Sequence, residues 1–196
     1  LVRNSYFCLN GEWDYVIKNT DDLPKHFLDK IIVPFSPEAP LSKVNRVLKP
    51  DEYLIYRRFF DLPNDFNKGR VFLHFTAVDQ SAKVYLNNHY LGDHIGGFLP
   101  FSFEIQEYLK AENELVVIVQ DQSDTSYHSR GKQKLKRGGI WYTPQSGIYL
   151  PVWLESTPKE YISSLKITPL FDDKKVEIIA KANIDSDVVI EIEKRV

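Results

Sequence analysis

Histidine and cysteine residues are the first candidates for metal or nucleophilic chemistry in this sequence. No two of the five histidines stand four residues apart, as they do in a helical metal-binding motif; they are His26, His74, His89, His94 and His128. His94 follows Asp93, but one such pair is more typical of a hydrogen-bonded turn than of a metal site. The sequence contains no Gly-x-Ser-x-Gly motif and no phosphate-binding loop. We therefore predict neither a metal nor a cofactor.

Paired carboxyl groups are the second candidate chemistry. Hydrolysis of a glycosidic bond needs two of them about 5–10 Å apart on a rigid frame. The acidic residues cluster instead at predicted turns, as in Asp121 with Asp124 and Asp172 with Asp173, where we expect solvated side chains. The usual frame is a barrel of about 250 residues, and this chain has 196. We predict no catalytic residue in it.

Amide and aromatic side chains offer a third possibility, contact with a carbohydrate. Asn87-Asn88-His89 ends a predicted strand, and the segment 93–101, which includes His94, follows closely. Amides and carboxylates can hold sugar hydroxyls in paired hydrogen bonds, and aromatic faces can pack on the sugar ring. An asparagine-rich hairpin followed by a packing turn explains the same residues, and residue chemistry leaves both interpretations open.

The composition is that of a globular protein, with 43% hydrophobic residues, 27% charged residues and a net charge of −2. Such balanced charge predicts no binding to nucleic acid or to an anionic membrane surface, and no apolar run reaches the roughly 18 residues of a membrane span. The single cysteine, Cys8, cannot form an internal disulfide, which slightly favours a cytoplasmic protein over a secreted one. Because the chain begins at Leu1 and contains no methionine, we expect a different original start.

The elements that must position these side chains are strands, because hydrophobic residues recur with a period of two. The predicted strands are 11–17, 54–61, 70–75, 82–86, 92–95, 101–105, 115–120 and 148–155. The run 115–120 is continuously apolar, as expected of a strand buried on both faces. Only short helical turns are predicted, for example around 106–110. This pattern predicts an all-β protein, a jelly-roll β-sandwich.

A domain boundary is predicted near Ser156-Thr157-Pro158, after which aromatic residues become rare and clean alternation begins. We expect a jelly-roll domain over 1–158 and an immunoglobulin-like β-sandwich, only begun, over 159–196. Its predicted strands centre on Ile162–Ile167, Val176–Ala182 and Val188–Ile192, with a hairpin turn at 171–174 between the first two. Because such a sandwich takes about seven strands, we expect the chain to be part of a longer protein.

Two long segments lack strand patterns. The proline-rich segment 34–40 is predicted to cross one end of the sandwich. The segment 121–147 is polar and glycine-punctuated, with a basic stretch at 130–137. Irregular loops longer than about 15 residues are usually functional or disordered. Gly96-Gly97 and Gly138-Gly139 are predicted to be backbone hinges.

Four segments, in order along the chain, resemble the sugar-binding domain of glycoside hydrolase family 2. They are Leu9–Trp13, Tyr56–Pro63, Val84–Phe101 and Ser146–Glu155. The family includes β-galactosidases, β-glucuronidases and β-mannosidases. The resemblance implies a jelly-roll domain, an immunoglobulin-like domain and a catalytic barrel, whose two glutamates hydrolyse β-glycosides with retention. It thus implies a non-catalytic N-terminal part, with the barrel of the same protein as its partner.

The resemblance also implies site residues, because the first domain reaches the active site in some members. The matching asparagine is Asn87, and Trp141 stands where those members carry an acidic residue. Trp141 then either braces a domain interface or stacks on a sugar. We expect substrate contact from Asn87, His94 and Trp141. Two alternatives to the accessory domain are an autonomous carbohydrate-binding module and a structural domain that forms homo-oligomer contacts through the loop 130–137.

Overall fold

Two antiparallel sheets face each other in the computed structural model, which describes residues 3–27 and 29–191. The smaller sheet has the strand order β1-β12-β5-β9 and the larger β3-β2-β4-β10-β7-β8. Two pairs, β6 with β11 and β13 with β14, stand outside these sheets. The strands are β1 Tyr6–Cys8, β2 Gly11–Lys18, β3 Asp29–Val33, β4 Tyr53–Phe60, β5 Arg70–Phe75, β6 Val78–Asp79, β7 Ser81–Leu86, β8 His89–Ile95, β9 Phe101–Glu104, β10 Asn113–Gln120, β11 Gly147–Ile148, β12 Val152–Thr157, β13 Ile162–Leu170 and β14 Lys175–Ala182. The predicted all-β sandwich is confirmed.

Strand β10 lies at the centre of the larger sheet, between β4 and β7. Leu115, Val117 and Val119 point into the core between the sheets, opposite Leu73 and Leu154 of the smaller sheet. The alternate residues of β10 belong to a second apolar cluster on the outer face of the larger sheet, which contains Val16, Ile55, Val116 and Ile118. Burial on both faces explains the continuous apolar run, as predicted for 115–120.

The predicted strand 148–155 is two strands in the structure, β11 and β12. Pro151 lies between them and has no N–H to donate to a ladder. Gly147, which opens β11, has φ +76°, and a Cβ there would overlap the buried hydroxyl of Tyr56. That hydroxyl accepts a hydrogen bond from the Ile148 N–H at 3.1 Å. Glycine is therefore required where the chain crosses the core.

Short irregular elements complete the described chain. The helical turn predicted around 106–110 is a 3-10 helix at Gln106–Tyr108, and further 3-10 turns occupy Pro40–Ser42 and Ser123–Thr125. The segment 121–147 has only two isolated bridges before β11, at Gln133–Tyr142 and Gly138–Trp141. None of the described helices is long and apolar enough to cross a membrane.

The hairpin β13–β14 confirms two of the strands predicted beyond 158, joined by the turn at 171–174. The third prediction, a strand at Val188–Ile192, is wrong for 188–191, which form no strand; Ile192 lies outside the described residues. Val188, Val189 and Ile190 instead line an apolar groove beside the hairpin. Their alternation provides an apolar face, but no described strand pairs with them to form a ladder.

Candidate functional site

The proline-rich segment and the loop 121–147 meet at one end of the sandwich, which we call the loop end. Glu38 connects them, because its carboxyl accepts hydrogen bonds from the Ser146 N–H at 3.1 Å and the Leu48 N–H at 3.1 Å. Strand β10 ends here at Gln120, beside Ser81 of β7 and opposite Tyr53 of β4. The segment 34–40, predicted to cross one end of the sandwich, thus contacts the loop at this end through Glu38.

Two carboxyl groups at the loop end share one hydroxyl. Ser146 Oγ lies 2.9 Å from Glu38 Oε1 and 2.8 Å from Asp121 Oδ2. A hydroxyl carries one proton, so both contacts are hydrogen bonds only when one carboxyl is protonated and donates to the oxygen. Burial raises the pKa of both carboxyls, opposed for Glu38 by the Ser146 and Leu48 amides and for Asp121 by Ser123 and Ser146.

A third carboxyl, that of Asp79 on β6, is also buried, at 2% exposed. Burial raises its pKa to about 7, with further contributions from the charges of Asp121 and Glu38, while a hydrogen bond from Gln133 opposes the rise. Its Oδ1 is buried without a hydrogen-bond partner in the described structure. A Cβ at Gly97 would lie 2.6 Å from this oxygen. Glycine at 97 therefore makes room for Asp79, whereas Gly96 has the positive φ expected of a hinge, +120°.

His94 lies near the loop end, where it pairs with Ala82 across the β7–β8 ladder. Its Nε2 is 3.1 Å from the Gly96 carbonyl oxygen, which can only accept, so this nitrogen carries a proton. The ring stacks on Phe101 with centroids 4.2 Å apart. His94 is half-buried, and its Nδ1 is the remaining polar atom for a ligand.

Trp141 lies in the loop itself, half-buried in a tight turn. Its backbone N–H donates to the Gly138 carbonyl at 3.1 Å, and Gly138 and Gly139 both have positive φ, +150° and +60°. The ammonium of Lys134 lies 4.9 Å from the centre of the indole ring. One side of the ring thus carries a cation–π contact.

Asn87 lies at the opposite end of the sandwich. It follows β7, five residues or roughly 17 Å along the strand from Ala82, the partner of His94. Its Nδ2 donates to the Tyr108 carbonyl at 2.7 Å and to Asn113 Oδ1 at 3.0 Å, and its Oδ1 accepts from the Glu114 N–H at 2.9 Å. Every amide atom is occupied within the chain, and the side chain is buried.

The structure therefore brings two of the three predicted contact residues to one end and leaves the third apart. His94 and Trp141 share the loop end, whereas Asn87 cannot line a site with them. Sugar contact by Asn87 stays a prediction that nothing in the geometry supports. Within residues 3–27 and 29–191, no group of three or more histidine, cysteine, aspartate or glutamate side chains has an arrangement suited to a metal ion.

Sequence reasoning missed the carboxyl network at the loop end. The prediction of a solvated turn is wrong for Asp121, which is 3% exposed and accepts a hydrogen bond from the Ser123 N–H at 2.7 Å. One available signal was the position of Asp121 directly after the buried strand β10. Its partner Ser146 is 25 residues away and Glu38 is 108 residues from Ser146, so local patterns gave no indication of the cluster.

Comparison with known families identifies this architecture. The sequence profile described as "Glycosyl hydrolases family 2, sugar binding domain" matches residues 40–158. The chain belongs to this family. The β-galactosidase of Thermoanaerobacter pseudethanolicus is 28% identical over 187 residues, covering 91% of this chain and 24% of that relative. A β-glucuronidase of Formosa agariphila is 34% identical over 119 residues, which cover 60% of this chain and 12% of that relative.

Solved structures agree with the fold. A β-glucuronidase from an uncultured Clostridium species superposes with a TM-score of 0.69 at 26% identity, over 91% of this chain and 34% of that one. The β-glucuronidase of Faecalibacterium prausnitzii gives 0.67 at 25% identity, over 90% and 35%. The chain thus spans about a third of these structures, and 24% and 12% of the two curated relatives. The predicted family and sandwich are confirmed.

Proposed function

We propose that this chain is the non-catalytic N-terminal part of a family 2 glycosidase that hydrolyses β-glycosides. The observation that carries the proposal is the family match over residues 40–158, combined with relatives that are β-galactosidases and β-glucuronidases and far longer than this chain. The catalytic carboxyl groups then belong to another part of the same protein.

The carboxyl groups within the described chain support the placement of the catalytic residues in another part of the protein. Glu38 and Asp121 are close enough to share Ser146 Oγ, so they are the pair of carboxyl groups to consider for catalysis. Both are instead occupied by backbone amides and by that hydroxyl. Asp121 is also buried, at 3% exposed. An acid and a nucleophile must reach the glycosidic bond, so this pair serves as a structural connection between loops.

Exposed apolar side chains at the loop end support contact with a catalytic domain. Leu99 is 69% exposed and Tyr142 is 68% exposed, and further exposed members of this apolar rim are Ile95, Phe98, Tyr127 and Ile140. A rim of this kind marks an interaction surface. In the proposed enzyme the catalytic domain of the same protein covers part of it, and Trp141 and His94 stand at its edge toward the substrate.

The test is hydrolysis of a panel of nitrophenyl glycosides by the protein extended through the further domains of its family. We expect the extended form to cleave one β-linked substrate, a galactoside or a glucuronide, and to leave the matching α-anomer intact. The 196-residue chain alone serves as the control and should be inactive. A folded extended protein that cleaves no β-glycoside would refute the proposal.

A further inference from the structure

A groove of about 380 Å³ runs between the proline-rich segment and the loop 121–147. Its polar lining comes from Glu38, Asn45 and Arg46 on one side and from Arg137 and Thr143 on the other. Its volume falls in the range of about 300–1,000 Å³ that small-molecule sites occupy. The groove is separate from Trp141 and His94, neither of which lines it.

Among the described residues, Arg137 is the cation of this groove that has no acidic partner, whereas Arg46 pairs with Glu52. Its Nη1 donates to Thr143 Oγ1 at 3.1 Å, which orients the guanidinium. Among the residues that the structure describes, neither Nε nor Nη2 of Arg137 has a hydrogen-bond partner, and the side chain is exposed. These two donors form the edge of the guanidinium that binds carboxylate or sulfate oxygens as a pair.

The other charged side chains of the groove have partners within the chain. Arg46 pairs with the buried carboxylate of Glu52, so these two charges compensate. The Glu38 carboxyl is turned toward Leu48 and Ser146, and burial raises its pKa. Arg137 is therefore the charge that remains to be balanced.

The loop that carries Arg137 is basic in this stretch. The stretch 130–137 contains Arg130, Lys132, Lys134, Lys136 and Arg137. No ion pair involving them is found across residues 3–27 and 29–191. The nearest acid in the loop, Asp124, accepts a hydrogen bond from the Leu135 N–H at 3.0 Å. A concentration of one charge sign around a groove favours ligands of the opposite sign.

We propose that this groove binds the anionic group of an acidic saccharide, a carboxylate or a sulfate, with Arg137 as its anchor. Asn45 and Thr143 supply the amide and hydroxyl that can bind neighbouring sugar hydroxyls. The assignment of the anion to a saccharide rests on the proposed function. The assignment of an anion site depends only on the groove and Arg137.

The experiment is an NMR titration of the full chain with three sugars that differ only at carbon 6: galacturonic acid, galactose 6-sulfate and galactose. We expect one or both acidic sugars to shift the amide signals of residues 135–144 and the Arg137 Nε–H signal. Galactose should bind at least about tenfold more weakly, because it lacks the charge-assisted pair of hydrogen bonds. The two acidic sugars distinguish carboxylate from sulfate recognition, and inorganic sulfate is the fourth probe.

Variants assign the binding to Arg137. We expect Arg137→Ala to weaken binding about tenfold or more and Arg137→Lys to have an intermediate effect, since lysine lacks the planar pair of donors. Lys136→Ala removes the same charge from the neighbouring exposed residue, which does not line the groove, and should change affinity by about twofold or less.

Three results would overturn the proposal: no shift with either acidic sugar, equal binding of galactose, or equal losses in the Arg137→Ala and Lys136→Ala variants. Inorganic sulfate binding as tightly as galactose 6-sulfate would overturn the saccharide part. Hydrolysis by the extended protein is measured separately, so a failure of the proposed function and a failure of this site give different results.

Discussion

Three carboxyl groups lie at the loop end, of which those of Asp79 and Asp121 are buried and that of Glu38 is half-buried. Asp79, Glu38 and Asp121 all have a raised pKa, and in each case burial is the largest cause. Removing a carboxylate from water is unfavourable unless donors replace the water, and Asp79 Oδ1 has no such donor in the described structure. The folded state therefore retains a proton that the unfolded chain releases.

Stability should fall as the pH rises because of Asp79. Its pKa is about 7 in the folded state against 3.8 ordinarily. The stabilisation that the protonated Asp79 gives the folded state is therefore fully present below about pH 4 and is lost as the pH rises through 7. We expect the free energy of unfolding of the unmodified protein to decrease by roughly 2–4 kcal/mol between pH 4 and pH 8 from this group. Urea unfolding across this range measures it.

The variant Asp79→Asn should have a much flatter pH dependence, because the amide does not ionise. Asp172→Asn is the matched control, since Asp172 lies exposed in the turn between β13 and β14. A pH slope in Asp79→Asn as steep as in the unmodified protein would show that another group is responsible.

At the scale of elements, the loop 121–147 is ordered by separate side-chain and backbone hydrogen bonds without forming a strand of its own before β11. Asp124 accepts a hydrogen bond from the Leu135 N–H, and Ser146 connects the loop to Glu38. The backbone N–H of Tyr142 donates to the Lys132 carbonyl at 2.8 Å. These contacts replace the ladder that a strand would provide.

Removing the shared hydroxyl should loosen this loop. In Ser146→Ala, the buried Asp121 carboxyl and the half-buried Glu38 carboxyl lose their common partner, which should cost about 1–3 kcal/mol. We expect trypsin to cleave after the basic residues 130–137 faster than in the unmodified chain. Ser129→Ala, an exposed serine in the same loop, is the control and should be cleaved at the original rate. Equal cleavage rates in the two variants would contradict the anchoring role of Ser146.

At the scale of the whole molecule, Arg3 connects the sandwich to the hairpin β13–β14. Its Nε donates to Glu155 Oε2 at 2.9 Å and its Nη2 to the Ile162 carbonyl at 2.8 Å. The guanidinium also lies 5.4 Å from the centre of the Tyr161 ring. Since Glu155 belongs to β12 and Ile162 opens β13, one side chain spans the junction.

Replacing the Arg3 side chain should lower the local stability of the hairpin more than that of the sandwich. We expect Arg3→Ala to increase amide hydrogen exchange across 162–182 by roughly tenfold, corresponding to about 1–2 kcal/mol, and to leave β10 unchanged. Arg3→Lys retains the charge but lacks the planar pair of donors. Its exchange rates in the hairpin should lie between those of the unmodified protein and those of Arg3→Ala. Unchanged exchange in the hairpin of Arg3→Ala would mean that other contacts hold it.

Local sequence patterns were sufficient for most of the longer strands and for the family. The apolar run 115–119 predicted a strand buried on both faces, and alternation at 70–75 predicted β5 with its observed bounds. Both predictions depend on which face of the sheet each side chain points to. This alternation is a local property of the strand, so nearby residues are enough to predict it. The short strands β1 and β3 escaped prediction because three to five residues carry too little periodicity.

Only the tertiary structure decided which polar residues meet. Asn87 was predicted as a sugar contact, yet it lies at the far end from Trp141, with its amide occupied by Tyr108, Asn113 and Glu114. Glu38 and Ser146, 108 residues apart, share a hydrogen bond that no local pattern indicates. Sequence periodicity determines which side of a strand is buried. The order of strands in the sheets determines which loops share an end, and therefore where a site can form.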